Sequence, residues 1–344
     1  MRALTLIEHG GLDRLRVQEI ADPPGPLPDQ VRIAVRAAAL NRLDLFILAG
    51  LPGIKLAFPH VVGTDAAGVV TEVGSEVSAF QTGDRVVVNP GISCGRCQMC
   101  LSDQDPLCRS FGILGEHLPG TAAESLVVPA RNLARVGTHL SWAEAAALPL
   151  ATLTAWRMLT TRAKVAAGET VLIWGIGGGV SLAALQIAKH LGARVIATSS
   201  SDQKLATATA LGADLVLNHS SQDVAKETRT FTKIGADVVV DSVGEKTWDK
   251  SLRALRPGGR LVTCGATTGP MVQLDIRKLF WFQWSILGST MSSAGEFEAM
   301  MAVANQGKLT PVVDSVVPLA EGLEAYRRLD SGHQVGKVVI EVSR

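Results

Sequence analysis

The 344-residue sequence has almost no excess charge: 33 Lys and Arg stand against 32 Asp and Glu. With no basic run either, it lacks the electrostatic footprint of a chain that binds a nucleic-acid duplex or an anionic membrane, so neither is expected as a partner. It also lacks a long apolar run. The richest stretch, Ala143 to Trp156, is interrupted by Glu144 and Pro149 and falls short of the roughly 18 consecutive residues a membrane span needs. At the N-terminus, Glu8 and His9 break any leader-type apolar core, so a cytoplasmic protein is expected. Tyrosine is nearly missing, Tyr326 being the only one. Cysteine is scarce outside one segment: Cys94, Cys97, Cys100 and Cys108 sit together, and Cys264 is far away. Cysteines so close in sequence cannot staple a chain of this length, which points to a reducing compartment and a metal.

What is present argues for a folded protein. Hydrophobic residues make up 47% of the chain, enough apolar surface to offset the entropy of ordering, which excludes disorder as the main state. The length suggests two domains. Up to about residue 125 the pattern is β-like, with short runs such as Val31 to Val35, Ala67 to Val73 and Asp84 to Val88 between turn residues. An antiparallel, turn-rich domain follows from that pattern. From about Gly168 the texture changes to strand-helix alternation. Strands are expected at Thr170 to Trp174, Arg194 to Thr198, Leu215 to Leu217, Asp237 to Val240 and Arg260 to Thr263. Between the last two, a helix from about Lys246 to Leu255 is expected to stop at Pro257-Gly-Gly259. Continuous apolar strands joined by right-handed crossovers predict an α/β fold with a doubly wound parallel sheet of the Rossmann type.

Gly175-Ile-Gly-Gly-Gly-Val-Ser181 lies between the first strand and its helix. There the backbone can approach a pyrophosphate and meet its charge with free N–H groups and the helix dipole. The spacing departs from G-x-G-x-x-G, with Ser181 where another glycine is usual. At the end of the second strand stand Ser199, Ser200, Ser201 and, one turn on, Lys204. Hydroxyls and a lysine suit a 2′-phosphate, whereas a ribose 2′-hydroxyl is usually met by a carboxylate, so NADPH is expected over NADH. Ser201 or Asp202 serves equally as a cap for the next helix.

The cysteine spacing, Cys94-x2-Cys97-x2-Cys100-x7-Cys108, suits tetrahedral zinc. Cys108 is followed by Arg109 rather than proline, unlike the ferredoxin pattern. Four thiolates leave no open coordination position, so this Zn2+, one per chain, is structural.

Several segments together resemble the medium-chain dehydrogenase/reductase superfamily of zinc alcohol dehydrogenases and quinone oxidoreductases. They are Gly63-Thr-Asp-Ala-Ala-Gly-Val-Val70, Gly83-Asp-Arg-Val-Val87, the cysteine lobe, the glycine loop, Val240-Asp-Ser-Val-Gly244 and Val335-Gly-Lys-Val-Val339. The resemblance implies a GroES-like, mostly-β catalytic domain over 1–150 with a zinc lobe at 92–110, a Rossmann domain over 151–290, and a segment, 291–344, returning to the catalytic domain. It implies Gly175, Gly178, Gly179 and Val180 at the pyrophosphate, Lys337 as its cationic partner, Val243 and Gly244 beside the ribose, and Gly265 and Ala266 near the carboxamide. Thr154 would face the nicotinamide. The active site would lie between the two domains, and the assembly would be a homodimer or homotetramer.

The catalytic zinc of that superfamily is normally held by Cys, His and Cys or Asp. The matching positions here carry Asn41, Thr64 with Asp65, and Leu150. Leucine cannot coordinate, and an open zinc needs about three protein ligands, so no catalytic metal is expected. His60 is read as a hydrogen-bonding residue. Asn41-Arg-Leu-Asp44 and Leu148-Pro-Leu-Ala-Thr-Leu-Thr-Ala155 resemble the quinone oxidoreductase branch, which implies metal-free hydride transfer to a quinone or an enone carbonyl substrate. Asn41 would then face the nicotinamide, with Thr64 or Arg42 holding the enolate oxygen. Asp44 is read as a helix cap, and no general acid emerges. Two alternatives stand: a zinc alcohol dehydrogenase using His60 and Asp65, and a cofactor-binding protein with negligible turnover.

Overall fold

The computed structural model describes residues 1–343. The chain divides into two compact units, Met1–Leu153 with Ser292–Arg344, and Thr154–Met291.

The first unit is built on a seven-stranded sheet whose hub is the ten-residue strand Gln30–Ala39. Its inward positions, Val31, Ile33 and Val35, are fully buried and alternate with half-buried Arg32 and Ala34, the period of two that a one-faced strand requires. Asp65–Val73 and Ser125–Pro129 pair with it antiparallel, and so does Lys337–Glu341 near the C-terminus. Val313–Pro318 then runs parallel to Lys337–Glu341 at the sheet edge. A three-stranded sheet, Leu15–Glu19, Arg2–Leu6 and His60–Val61, completes the core with helix Gly322–Asp330, whose Tyr326 and Leu329 are buried in the same cluster.

The second unit is a six-stranded parallel sheet. In spatial order it runs Leu215–Asn218, Arg194–Ser199, Thr170–Ile173, Ala236–Val240, Leu255–Thr263, Ser285–Gly288. Strand order therefore reverses beside Thr170–Ile173, the switch point at which doubly wound sheets bind ligands. One sequence expectation is corrected. The helix ends at Ala254, and the chain enters a strand at Leu255 instead of waiting for Pro257-Gly-Gly259. Leu255 pairs with Ala236, residues 256–259 bulge out, and pairing resumes at Arg260 with Val238. Proline and glycine are tolerated there because a bulged residue owes the ladder no donor. Among the described residues no helix is long and apolar enough to cross a membrane.

Candidate active site and zinc lobe

Strand register brings three polar side chains to one end of the first unit's sheet. Ala39 pairs with Asp65 on one side and Val339 on the other, and Leu40 N–H donates to the carbonyl of Val338. The hub strand stops there and Asn41 begins helix Arg42–Ala49. Asn41 Nδ2 donates to Asp65 Oδ2 at 2.9 Å, and Lys337 Nζ donates to the same oxygen at 2.9 Å and to Asn41 Oδ1 at 2.5 Å. Leu150 adds its backbone N–H to Asp65 Oδ1 at 2.7 Å. Asp65 is 0% exposed, Lys337 4% and Asn41 7%. Lys337, expected as the cation for a pyrophosphate, instead closes a buried ion pair. Nothing in the sequence flags this pairing, which joins residues 272 apart.

Asp44 does more than the expected capping. Its Oδ2 accepts the Asn41 N–H at 2.6 Å, while Oδ1 accepts the Gly63 N–H at 3.2 Å. The hydroxyls of Thr64 and Tyr326 approach Oδ1 at 3.5 Å, so the single tyrosine and the candidate Thr64 both face this acid. Burial raises the Asp44 carboxyl from 3.8 to about 6; its backbone donors and Lys337 oppose the rise and Asp65 adds to it. Burial and the neighbouring Asp44 likewise push the Tyr326 phenol well above 10. Arg42 is exposed and does not join the cluster. His60 is buried, with its ring Nε2 2.9 Å from the Gly115 carbonyl oxygen, and burial lowers its pKa.

The raised Asp44 value fixes the sign of a pH effect. An acid that holds its proton more tightly folded than unfolded contributes stability fully below pH 3.8, and the contribution disappears as pH rises through about 6. The gap corresponds to about 3 kcal/mol. Urea unfolding should therefore show wild type losing most of that, about 2 kcal/mol, relative to Asp44→Asn, between pH 4 and pH 7. A constant difference between the two proteins over that interval would mean that Asp44 titrates normally.

In the second unit Gly175, at φ +65°, turns the chain out of its strand, and Gly178 begins helix Gly179–His190 with no side chain capping it. Ser181 accounts for the departure from the glycine pattern: its hydroxyl bonds the carbonyls of Gly175 and Gly178, each at 3.0 Å, and so fastens the loop to the helix. Lys204 lies across this loop. A Cβ on Gly177, at φ +136°, would fall 2.5 Å from Lys204 Cδ. Ser199 is buried with its hydroxyl oxygen accepting the Ser201 N–H at 3.0 Å, Ser200 is exposed, and Ser201 caps the next helix. Val180 is half-buried in the helix's first turn, and Thr154 is buried in helix Pro149–Trp156.

Val243 and Gly244 are held by Asp241, whose Oδ1 accepts both N–H groups, at 2.8 and 3.1 Å. Gly244 packs so closely on the next loop that a Cβ would lie 2.6 Å from the Gly269 carbonyl and 3.1 Å from Ala266 Cα. Gly265 and Ala266 are exposed on that loop. Sequence reasoning missed a cavity of about 140 Å³ in this unit, lined by Trp174, His219, Lys250 and Arg253. Trp174 Nε1 and His219 Nδ1 are buried there without a partner. Trp174 directly precedes the glycine loop, and that position was the available signal.

The four cysteine sulfurs lie within 4.8 Å of one another. Cys97 and Cys100 are 3.6 Å apart, and Cys94 and Cys100 3.9 Å. A tetrahedron with Zn–S bonds of ~2.3 Å has edges of about 3.8 Å, so the set fits zinc. Backbone N–H groups of Arg96 and Cys97 draw the Cys94 thiol down to about 6, toward the ligating thiolate. The lobe is tied down by Asp105, 4% exposed, which accepts from Ser93 Oγ at 2.6 Å, Arg131 at 2.7 Å and the Ala294 N–H at 3.3 Å.

The Asn41, Asp65 and Leu150 set does not fit a catalytic zinc. Asp65 accepts three N–H groups, Asn41 Oδ1 accepts a lysine, and Leu150 offers a donor where a ligand is required.

Comparison with known proteins agrees with this architecture. The family described as "Alcohol dehydrogenase GroES-like domain" matches residues 27–138, and "Zinc-binding dehydrogenase" matches 179–306. The chain is 34% identical to the acryloyl-coenzyme A reductase of Metallosphaera sedula, over 97% of this chain and 98% of that one. It is 30% identical to the quinone oxidoreductase of Mus musculus, over 99% and 97%. Among solved structures, an NAD-dependent alcohol dehydrogenase superposes with a TM-score of 0.96 at 45% identity, covering 100% of both chains. Two-unit architecture, zinc-fitting lobe and full-length likeness to named reductases and dehydrogenases make the chain an oxidoreductase of the medium-chain dehydrogenase/reductase superfamily.

Proposed function

We propose that the chain is an NADPH-dependent reductase of quinones or enones, working without a catalytic metal and carrying one structural zinc. The observation that supports this reading is that Asn41 and Asp65, two of the positions matching the superfamily's metal ligands, are bonded to each other and to the Lys337 ammonium. Oxidation of a simple alcohol needs a Lewis acid to lower its pKa. Reduction of an enone needs only donors for a developing oxyanion. The likeness to an acryloyl-coenzyme A reductase and a quinone oxidoreductase supports the same class.

A bound nicotinamide cofactor supplies the hydride. Toward it, Gly175, Gly178, Gly179 and Val180 present backbone to the pyrophosphate, and Lys204 with Ser199 and Ser200 meets the 2′-phosphate. Val243, Gly244, Gly265 and Ala266 line the ribose and carboxamide end, and Thr154 the nicotinamide. Trp174 Nε1 and His219 Nδ1 offer the partners an adenine ring would use. Asn41 and Thr64 serve the reacting carbonyl; Arg42, exposed, is the weakest of the three candidates. The exposed Phe280 and Trp281, at 65% and 76%, beside the edge strand Ser285–Gly288, support a homodimer or homotetramer. The cytoplasm is the proposed compartment.

The test is cofactor oxidation across a panel of quinones and enones, with NADPH and NADH, in wild type and Lys204→Ala. Turnover is expected with NADPH preferred, and the preference is expected to shrink by about tenfold in the variant, the size of one lost charged contact. Equal use of both cofactors by both proteins would overturn the role of Lys204. Tight NADPH binding without turnover on any acceptor would favour a cofactor-binding role. The 45% identity to an NAD-dependent alcohol dehydrogenase favours a second reading, zinc-dependent alcohol oxidation with NAD. It predicts a second zinc and activity with short alcohols.

A further inference from the structure

Counting protons in the buried cluster shows what it has left to give. A lysine ammonium carries three N–H donors and a carboxamide two. Lys337 commits one to Asn41 Oδ1 and one to Asp65 Oδ2, and Asn41 Nδ2 commits one to Asp65. Each group therefore retains one N–H, and the two groups lie within hydrogen-bond distance of each other. The carboxylate that balances their charge is the most enclosed of the three: Asp65 is 0% exposed, while Asn41 and Lys337 keep 7% and 4%. What exposure the cluster has therefore belongs to the amide and the ammonium and not to Asp65.

We propose that Lys337 and Asn41 form the oxyanion-binding pair of the enzyme, with Lys337 as the charge that a catalytic metal would otherwise supply and Asp65 as a positioning residue that orients both. The proposal rests on the reductase reading above. In that reaction a hydride from NADPH forms the new C–H bond at the β-carbon. The C=C pair shifts to the α-carbon–carbonyl bond, and the carbonyl pair moves onto oxygen. The resulting enolate oxygen accepts the remaining N–H groups of Lys337 and Asn41. Water then gives a proton to the α-carbon and departs as hydroxide, and NADP⁺ and the saturated ketone leave. Preorganised donors of this kind act most strongly where water is excluded, as it is around Lys337.

The test uses an enolate mimic alongside turnover. Wild type with NADP⁺ bound is expected to take up 4-nitrophenolate in preference to 4-nitrophenol, lowering the probe's pKa by at least about one unit, a tenfold preference. Lys337→Met should abolish the preference, and Lys337→Arg should keep part of it. Because Lys337→Met strands the Asp65 charge, the double variant Lys337→Met/Asp65→Asn, which removes both charges of the pair, is measured too and is expected to behave in the same way. With 2-cyclohexen-1-one, kcat should fall about 100-fold in Lys337→Met while NADPH affinity stays unchanged. The proposal is overturned by wild type showing no preference for the phenolate, or by a preference that survives in both Met variants. A loss of NADPH affinity that matches the loss of turnover would also overturn it, since it would return Lys337 to the pyrophosphate. Failure of the enone reductase reading alone would appear as absent turnover with the phenolate preference intact.

Discussion

Replacing Cys97 with serine is expected to take the bound zinc from about one per chain to none and to unfold the cysteine lobe. Apparent binding free energies of about 10–16 kcal/mol for four-ligand zinc sites far exceed what the lobe's own packing can replace. Between Ser93 and Phe111 its regular structure is one four-residue helix and one three-residue 3₁₀ turn, and Leu101 and Leu107 are 77% and 63% exposed. The loss should remain local at first, because the first unit's core is formed by other residues. Limited proteolysis should cut the variant between residues 93 and 111 while wild type resists, and metal analysis should show the missing zinc. Asp105 would then release Arg131 and the Ala294 N–H, so a smaller fall in the melting temperature of the whole unit should accompany the local change. A variant without zinc that resists protease like wild type would remove the metal from the account of this lobe.

Asp65→Ala is expected to destabilise the first unit by about 3–5 kcal/mol, because it leaves the Lys337 ammonium buried and unpaired. The variant also orphans the Leu150 N–H and one Asn41 N–H. Adding Lys337→Met removes the stranded charge and should recover much of the loss, so the two substitutions should couple strongly in a double-mutant cycle. Urea unfolding of the four proteins measures this directly. Additive effects would mean that the ammonium finds other partners once Asp65 is gone. The fold can carry such a pair because each member is multiply hydrogen-bonded, a condition under which buried charges persist.

The fold class was legible in the sequence because two periodicities meet in it. The alternation around Val31, Ile33 and Val35 marks a half-buried strand, and the unbroken runs at Thr170 to Ile173 and Ala236 to Val240 mark strands covered on both faces. The end of helix Trp248–Ala254 was not legible: Pro257-Gly-Gly259 reads as a stop signal, and only the neighbouring strand makes it a bulge. Candidate residues could be named one by one from motifs, but their partners could not. The cysteine absent from position 41 raised the expectation of a site without a catalytic metal, yet it could not say that Asn41 and Asp65 would both bond an ammonium from position 337. Asp44 showed a capping role through its place at the start of a short helix, but its contact with Thr64 needs the segment at Gly63 beside it and its contact with Tyr326 exists only once helix Gly322–Asp330 packs against it. Local chemistry is written locally, whereas burial and pairing depend on which distant segments the sheet brings side by side.

The hub strand Gln30–Ala39 has a further consequence for synthesis. Asp65–Val73 and Ser125–Pro129 are available to it early, but Lys337–Glu341 leaves the ribosome only after the whole of the second unit. Throughout the intervening translation the hub keeps open backbone donors and acceptors, and Asp65 waits without its counter-charge. The second unit, contiguous from Thr154 to Met291, can close before either need is met. A nascent chain therefore carries one finished domain and one with an exposed sheet edge, the surface on which a chain is most exposed to pairing with another copy of itself.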